Sequence, residues 1–149
     1  VVYSQPKFAD GFYYFLRGDY DENKLILYRF SLGKTIESVV ELKLDEVDLY
    51  NLSVVGNPVH IISQEDKFRC YYPKNFSFSL QPNESVCFIE NDRVYIEAWI
   101  EEGWDDQNDC ATNEYNYYNK ILIKDFHGNL ISEEVGTLNQ AADGTWWIS

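Results

Sequence analysis

Apolar and polar residues alternate along short stretches that cover most of this chain. Phe76, Phe78 and Leu80 alternate with Ser77 and Ser79 in the clearest example. Because successive side chains of a β-strand point to opposite faces, this pattern predicts strands with one buried face. Stretches of this kind, or apolar runs of similar length, lie at 12–16, 24–30, 35–44, 59–63, 67–72, 76–80, 86–89, 93–100, 120–126, 130–135 and 145–148. A helix is the alternative for 35–44.

Clusters of Gly, Asp, Asn and Pro separate these stretches and predict tight turns, and two strands joined by such a cluster form a hairpin. No long apolar period of 3.6 residues with helix caps occurs, and the best helical candidate covers one or two turns at 45–52. The sequence therefore predicts an all-β fold: an antiparallel meander of hairpins with little helix, in a single domain over residues 1–149.

Four segments share a pair of turn residues followed by an apolar strand. They start near residues 11, 58, 93 and 144, at spacings of 47, 35 and 51 residues. This pattern resembles β-propeller blade repeats, and the resemblance implies propeller-like blades belonging to a larger ring. The alternative is a general hairpin pattern that folds into an open sandwich or half-open barrel. The turn pairs are Asp10-Gly11, Asn57-Pro58, Asn91-Asp92 and Asp143-Gly144.

The chain is strongly acidic and rich in aromatic residues. It has 12 Lys and Arg against 25 Asp and Glu, a net charge of −13, and 17% aromatic residues. A protein that binds nucleic acid through its phosphates needs a basic face, and an anionic membrane surface repels a protein of this charge. We therefore expect neither nucleic acid nor a membrane as a partner.

Three cysteines, Cys70, Cys87 and Cys110, allow at most one intramolecular disulfide. This odd number argues against a disulfide framework and slightly favours a reducing compartment such as the cytoplasm. No signal peptide is recognisable at the start of the chain, and a secreted origin stays open as well.

Candidate catalytic groups are few. The two histidines, His60 and His127, lie in an apolar strand and in a turn, and no Gly-x-Ser-x-Gly motif occurs. The cysteines have no close partner at a zinc-ligand spacing, and no pair of carboxylates is singled out for glycoside hydrolysis. We predict a protein that is not an enzyme and that uses no cofactor.

One segment has part of the ligand spacing of a calcium loop. Asp19, Asp21 and Asn23 follow the D-x-D-x-N pattern, which places several oxygens in one short turn. Lys24 replaces the glycine expected at the sixth position, and Phe30 replaces the glutamate expected at the twelfth. We interpret the segment as a hairpin turn and keep a metal site there as the weaker alternative.

The segment 101–119 interrupts the strand pattern, and we expect a long polar loop there. It holds six acids and four large aromatic residues, with no Lys or Arg between Arg93 and Lys120. Either its rings attach the loop to the core, or they form a contact surface in which carboxylates attract a basic partner and rings anchor it. The predicted contact residues are Glu101, Glu102, Trp104, Asp105, Asp106, Asp109, Tyr115 and Tyr117.

These features favour an acidic binding protein that captures and occludes a basic protein partner. In general character the chain resembles the small immunity and inhibitor proteins that neutralise basic toxins such as nucleases. That resemblance implies carboxylates occupying the positions of substrate phosphates in a cationic active site. The alternative is a piece of a larger β-propeller or β-rich extracellular protein with a ligand-binding or adhesive role.

Overall fold

The chain folds into four antiparallel sheets that follow one another along the sequence. The computed structural model describes residues 1–56 and 58–149, so Asn57, which opens the second predicted repeat, lies outside the described residues. Within the described ranges the helices are two single 3-10 turns, Leu44–Glu46 and Leu49–Asn51. The prediction of an all-β antiparallel meander with little helix is confirmed. None of the helices in these ranges has the length and apolarity needed to span a membrane.

The first three sheets are meanders, in which each main strand pairs with the next one along the chain. In the first sheet, β1 (Val2–Tyr3) and β2 (Lys7–Ala9) share one edge of β3 (Phe12–Asp19), which is followed by β4 (Lys24–Phe30) and β5 (Glu37–Lys43). The second sheet contains β6 (Leu52–Val55), β7 (His60–Gln64), β8 (Lys67–Tyr72) and β9 (Phe76–Ser79). The third contains β10 (Glu84–Glu90), β11 (Arg93–Asp105), β12 (Cys110–Lys124) and β13 (Leu130–Val135). The fourth is the hairpin of β14 (Leu138–Gln140) and β15 (Trp146–Ile148).

Every sheet contains the same opening unit, a strand, a short turn and a second strand. The units are β2–β3, β6–β7, β10–β11 and β14–β15, and the predicted turn pairs Asp10-Gly11, Asn91-Asp92 and Asp143-Gly144 lie between the strands of the first, third and fourth. In the third unit both turn residues, Asn91 and Asp92, have positive φ values of 53° and 60°. Asn and Asp tolerate this conformation, and it matches the twist of a two-residue hairpin.

The sheets stack face to face because alternate residues of the inner strands point into opposite cores. In β7, Ile61 packs into the core shared with the first sheet, and Ile62 packs into the core shared with the third. Between the third and fourth sheets, Phe88 packs with Leu138 and stacks on Trp146 at 5.1 Å between ring centroids. Strands buried on both faces have nearly continuous apolar runs, which explains the sequence of β7.

The third sheet has one feature that the other sheets lack. β10 pairs with β11 as far as Ala98, and β13 pairs with β12 from Lys120 onward. The Trp99 N–H still donates to the Asn83 carbonyl and the Gly136 N–H to the Asn119 carbonyl, but beyond these two residues β11 and β12 pair only with each other and extend past the sheet as a two-stranded projection. We call this projection, residues 99–119, the arm. The turn at 91–92 precedes one end of β11 and the arm contains the other end, so the arm projects from the end of the stack opposite that turn.

The expectation of a long polar loop at 101–119 is wrong, because most of this segment forms the two paired strands of the arm. Strand β11 continues to Asp105 and β12 begins at Cys110, so a short tip at 106–109 is all that joins them. The apolar alternation that marks other strands is missing here because neither face of the arm packs into a core. Its backbone groups nevertheless find partners in the strand opposite, as strand pairing requires.

Candidate functional site

The arm presents two faces with different side chains. The pairs Trp99–Asn119 and Glu101–Tyr117 lie on one face, because residues two apart along a strand share a face. The intervening pairs, including Glu102 with Asn116, lie on the other face. The first face therefore carries most of the rings that the sequence singled out.

Four rings follow one another along the arm, and we call them the aromatic ladder. Ring centroids are 6.2 Å apart from Trp99 to Tyr117, 6.2 Å from Tyr117 to Tyr115, and 5.9 Å from Tyr115 to Trp104. Rings at these distances attract one another in tilted or edge-on arrangements. Trp99 is 47% exposed, Trp104 39% and Tyr117 62%, and no ladder residue belongs to a core between sheets. The ladder is thus an exposed apolar strip.

A bulge at Gly103 turns Trp104 toward the ladder. The pairing shifts between Glu102–Asn116 and Trp104–Ala111, and β12 has several more residues than β11 between these two pairs. Gly103 has a φ of +75°, and a Cβ there would lie 2.6 Å from the Glu114 backbone. The Thr112 hydroxyl donates a hydrogen bond of 2.7 Å to the Gly103 carbonyl and closes the bulge. Glycine is required at this position by both conformation and space.

Two of the predicted contact carboxylates are held by tyrosines of the opposite strand. The Tyr115 hydroxyl donates to Glu101 at 2.8 Å, and the Tyr118 hydroxyl donates to Glu102 at 2.9 Å. In each case the hydrogen bond to the carboxylate raises the pKa of the tyrosine. These bonds cross the arm and fix its shape, so Glu101 and Glu102 have a structural role alongside their charge.

The arm tip is shaped by Asp105. Its carboxylate accepts hydrogen bonds from the Gln107 and Asn108 backbone N–H groups at 3.0 and 3.2 Å, and from the Asn108 side chain at 2.8 Å. These bonds lower the pKa of Asp105, and the bond from the Asn108 side chain makes the largest contribution. Asp106 and Asp109 are exposed and make no side-chain hydrogen bond or ion pair within the described ranges. They present their full charge to solvent.

The negative charge of the arm is not balanced locally. Residues 99–119 contain six carboxylates and no Lys, Arg or His. Lys24, Arg29, Lys120 and Lys124 pair with acids elsewhere, and no ion pair found in the described part of the chain includes an arm residue. The potential around the arm is consequently negative, and it falls off over a Debye length of about 8 Å at physiological salt.

A shallow hollow of about 370 Å³ lies where the ladder meets the sheet. Asn119 donates hydrogen bonds to Glu97 and Thr137, both at 3.4 Å, and Glu97 accepts a further bond from the Leu138 N–H at 3.0 Å. These bonds fix the floor of the hollow against the fourth sheet. The walls include Trp99 and Tyr117, so the ladder ends in a concave surface.

Sequence reasoning missed Trp99 as a member of this site. The residue falls inside the regular stretch 93–100 and was therefore assigned to an ordinary strand. The usable signal was the alternation itself, because Trp99 and Glu101 are two residues apart and so share a face of an extended β11.

The weak calcium candidate forms a structural turn. Asp19 accepts hydrogen bonds from the Asp21 and Glu22 backbone N–H groups at 3.0 and 3.2 Å, and it pairs with Arg17 at 3.5 Å. The Asn23 side-chain oxygen accepts the Asp45 N–H at 2.9 Å. No three His, Cys, Asp or Glu side chains are grouped as metal ligands among the residues that the structure describes.

The three cysteines are free thiols in different surroundings. Cys70 is buried and Cys110 is exposed near the arm tip. Burial raises the pKa of Cys70 to about 12 and that of Cys87 to about 11. A nucleophilic cysteine needs a lowered pKa, so neither Cys70 nor Cys87 has the properties of one.

Comparison with known proteins yields no relative. The chain matches no protein-family model, no curated protein and no solved structure.

Proposed function

We propose that this chain is a non-enzymatic binding protein whose arm captures a basic protein partner. The observation that carries the proposal is that a continuous exposed aromatic ladder and six unbalanced carboxylates occur together on one projecting hairpin. Carboxylates attract a cationic partner and raise its association rate, while Trp and Tyr provide anchor area with few rotatable bonds.

The arm residues divide into three roles. Asp106 and Asp109 at the tip, with Glu114, steer the partner because their charges are unpaired. The ladder provides the apolar contact. Glu101 and Asp105 mainly keep the arm in shape through their internal hydrogen bonds. A narrow projecting hairpin of this kind fits a cationic cleft, which it would occlude as an immunity or inhibitor protein does.

A charge-neutralised arm tests the proposal. The arm variant combines Glu102→Gln, Asp106→Asn, Asp109→Asn and Glu114→Gln, which remove four charges. In Glu102→Gln the amide oxygen can still accept the hydrogen bond from the Tyr118 hydroxyl, so the shape of the arm is kept. The matched control neutralises four exposed acids outside the arm, at Asp21, Asp45, Glu46 and Glu90. Both variants and the native protein are used to capture partners from the source cells at low and high salt.

A basic partner should bind the native protein and the control variant. Association with the arm variant should be slower by about tenfold or more at low salt, with a weaker dependence on salt. Short arginine-rich and lysine-rich peptides serve as defined probes of the same surface. Equal binding to all three proteins would reject the arm as the docking site, and equal loss in both variants would assign binding to net charge alone.

A second candidate function follows from the outer face of the first sheet. Its rings form a continuous series, with centroid distances of 5.1 Å for Phe8–Tyr13, 5.4 Å for Tyr13–Phe30 and 5.3 Å for Phe15–Tyr28. The opposite faces of the same strands pack against the second sheet, whereas no sheet within the described residues covers this one. This supports a unit of a larger β-propeller with a ligand-binding or adhesive role.

Solution behaviour separates the two candidates. A unit that lacks a neighbouring sheet should associate with itself through the aromatic face, and replacing Phe15 and Tyr28 with lysine should suppress that association. A self-contained inhibitor should remain monomeric and unfold in one step. Light scattering over a range of concentrations, combined with thermal unfolding, distinguishes these outcomes.

A further inference from the structure

A cavity of about 300 Å³ lies between the second and third sheets, at the end of the stack opposite the arm. Its lining includes residues at the start of β7, between β8 and β9, in the turn that joins β10 to β11, and just after β12. Its volume is at the lower end of the range for pockets that bind small molecules.

His60 is the most buried of the polar residues that line the cavity. The side chain is 5% exposed, and its Nδ1 atom is 2.8 Å from the Pro58 carbonyl oxygen. A carbonyl oxygen can only accept a hydrogen bond, so Nδ1 carries the proton. Burial lowers the pKa of His60, which keeps the ring neutral near pH 7. A neutral imidazole has one N–H, and the other nitrogen, Nε2, is therefore an acceptor.

The acceptor Nε2 is available to a ligand. It has no hydrogen-bond partner within the described ranges, and it is not sealed from solvent. Because this nitrogen reaches solvent, water can occupy the position that a ligand donor would take. A molecule that enters the cavity with an N–H or O–H group could donate to Nε2 instead.

The walls of the cavity are flat, apolar and held in place. Phe76 and Phe126 stack with their centroids 4.0 Å apart and their planes at 14°, and Phe76 also contacts the buried Phe68 at 5.7 Å. Pro58 and Pro73 add rigid apolar surface. Walls fixed in advance reduce the loss of entropy on binding, and their flat shape favours a planar ring.

The rim of the cavity carries two charges that offset each other. The Lys74 ammonium is 3.8 Å from the Asp92 carboxylate and 5.7 Å from the centre of the Phe126 ring. Both side chains are largely exposed, and the pair leaves the mouth without net charge. The surroundings therefore favour a neutral ligand over an ion.

We infer that this cavity binds a small neutral aromatic molecule that donates one N–H or O–H hydrogen bond to Nε2 of His60. Indoles and phenols have this chemistry. The ring would lie against the walls formed by Phe126 and the prolines, and its donor would point to the inner end of the cavity.

Paired probes test the hydrogen bond directly. Indole and 1-methylindole have nearly the same ring, but only indole has a donor, and phenol and anisole form a second such pair. Titration of the ¹⁵N-labelled protein should show saturable binding of indole, with shifts at residues around the cavity and at Nε2 of His60. We expect 1-methylindole to bind at least about fivefold more weakly, as the loss of one hydrogen bond implies.

A variant that keeps the bond to Pro58 completes the test. In His60→Asn the amide nitrogen can replace Nδ1 as a donor, while the acceptor at Nε2 is lost. Indole should then bind no better than 1-methylindole, whereas the control His127→Gln, in an exposed turn, should bind as the native protein does. Should His60→Asn fail to fold, the comparison of probes on the native protein stands alone. Equal affinity for both members of each pair, absence of saturable binding, or a proton found on Nε2 would overturn the inference.

Discussion

Gly103 shows how a single residue shapes the arm. We expect Gly103→Ala to rearrange the bulge, because the residue has a positive φ and a Cβ would collide with the Glu114 backbone. The contact between Trp104 and Tyr115 should be lost, while the global free energy of unfolding changes by no more than about 1 kcal/mol, since the arm lies outside the cores. Trp104 fluorescence and amide exchange of residues 99–119 measure the local effect.

Gly33 provides a matched control for that substitution. It also has a positive φ, of 79°, but an added Cβ would contact nothing within 4 Å. Gly33→Ala therefore introduces backbone strain without the collision and should leave the arm unchanged. A similar change of Trp104 fluorescence in both variants would contradict the role assigned to the bulge.

Asp105 makes the arm tip sensitive to acid. Its pKa is lowered from 3.8 by hydrogen bonds present only in the folded tip. The ionised Asp105 carboxylate therefore stabilises the folded tip fully above pH 3.8. This stabilisation is lost as the pH falls through the pKa that Asp105 has in the folded protein, which is lower than 3.8. Amide exchange at Gln107 and Asn108 should accelerate in that window, more than the intrinsic pH dependence explains. In Asp105→Asn the same amides should show no such step, and a step that persists would assign the effect to another group.

At the scale of single elements, the inner strands carry the stability of the stack. Ile62 is fully buried in the core between the second and third sheets. Ile62→Ala should lower the free energy of unfolding by about 3 kcal/mol, through lost burial and a cavity that cannot collapse. The control Ile131→Ala, on an exposed edge strand, should cost less than about 0.5 kcal/mol. Urea unfolding measures both, and similar losses would mean that β7 is less tightly packed than the structure indicates.

Strands could be predicted where a buried face gives the sequence an apolar alternation or an apolar run. The alternation at 76–80 and the apolar run in β7 gave strands close to those observed. Strands β1, β2, β6 and β14 were missed, because each has only two to four residues and is defined by its neighbour. The arm was mistaken for a loop for a related reason: its pairing is regular, but no core imposes apolar alternation on it.

The candidate site was predictable in content and not in arrangement. The local density of acids and rings singled out Tyr115 and Tyr117, whose rings lie side by side in the ladder. The ladder order depends on the register of β11 with β12 and on the bulge at Gly103, which a single sequence does not specify. For the same reason Asp105 could not be recognised in advance as the residue that forms the tip turn.

At the scale of the whole molecule, a net charge of −13 opposes compactness. Raising the ionic strength from about 0.01 M to about 0.15 M shortens the Debye length from about 30 Å to about 8 Å. We expect a gain in stability of roughly 1 kcal/mol, or about 2–4 °C in melting temperature. The arm variant with four fewer charges should gain less. A melting temperature that falls with salt would mean that favourable ion pairs outweigh this repulsion.

The unequal burial of the three thiols gives the molecule a built-in attachment point. Cys110 lies opposite Asp105 beside the arm tip, whereas the raised pKa values of Cys70 and Cys87 keep both protonated at neutral pH. A maleimide dye should therefore label the native chain once, at Cys110, without any engineered cysteine. The dye would report the approach of another molecule to the hairpin as a change in its emission or anisotropy.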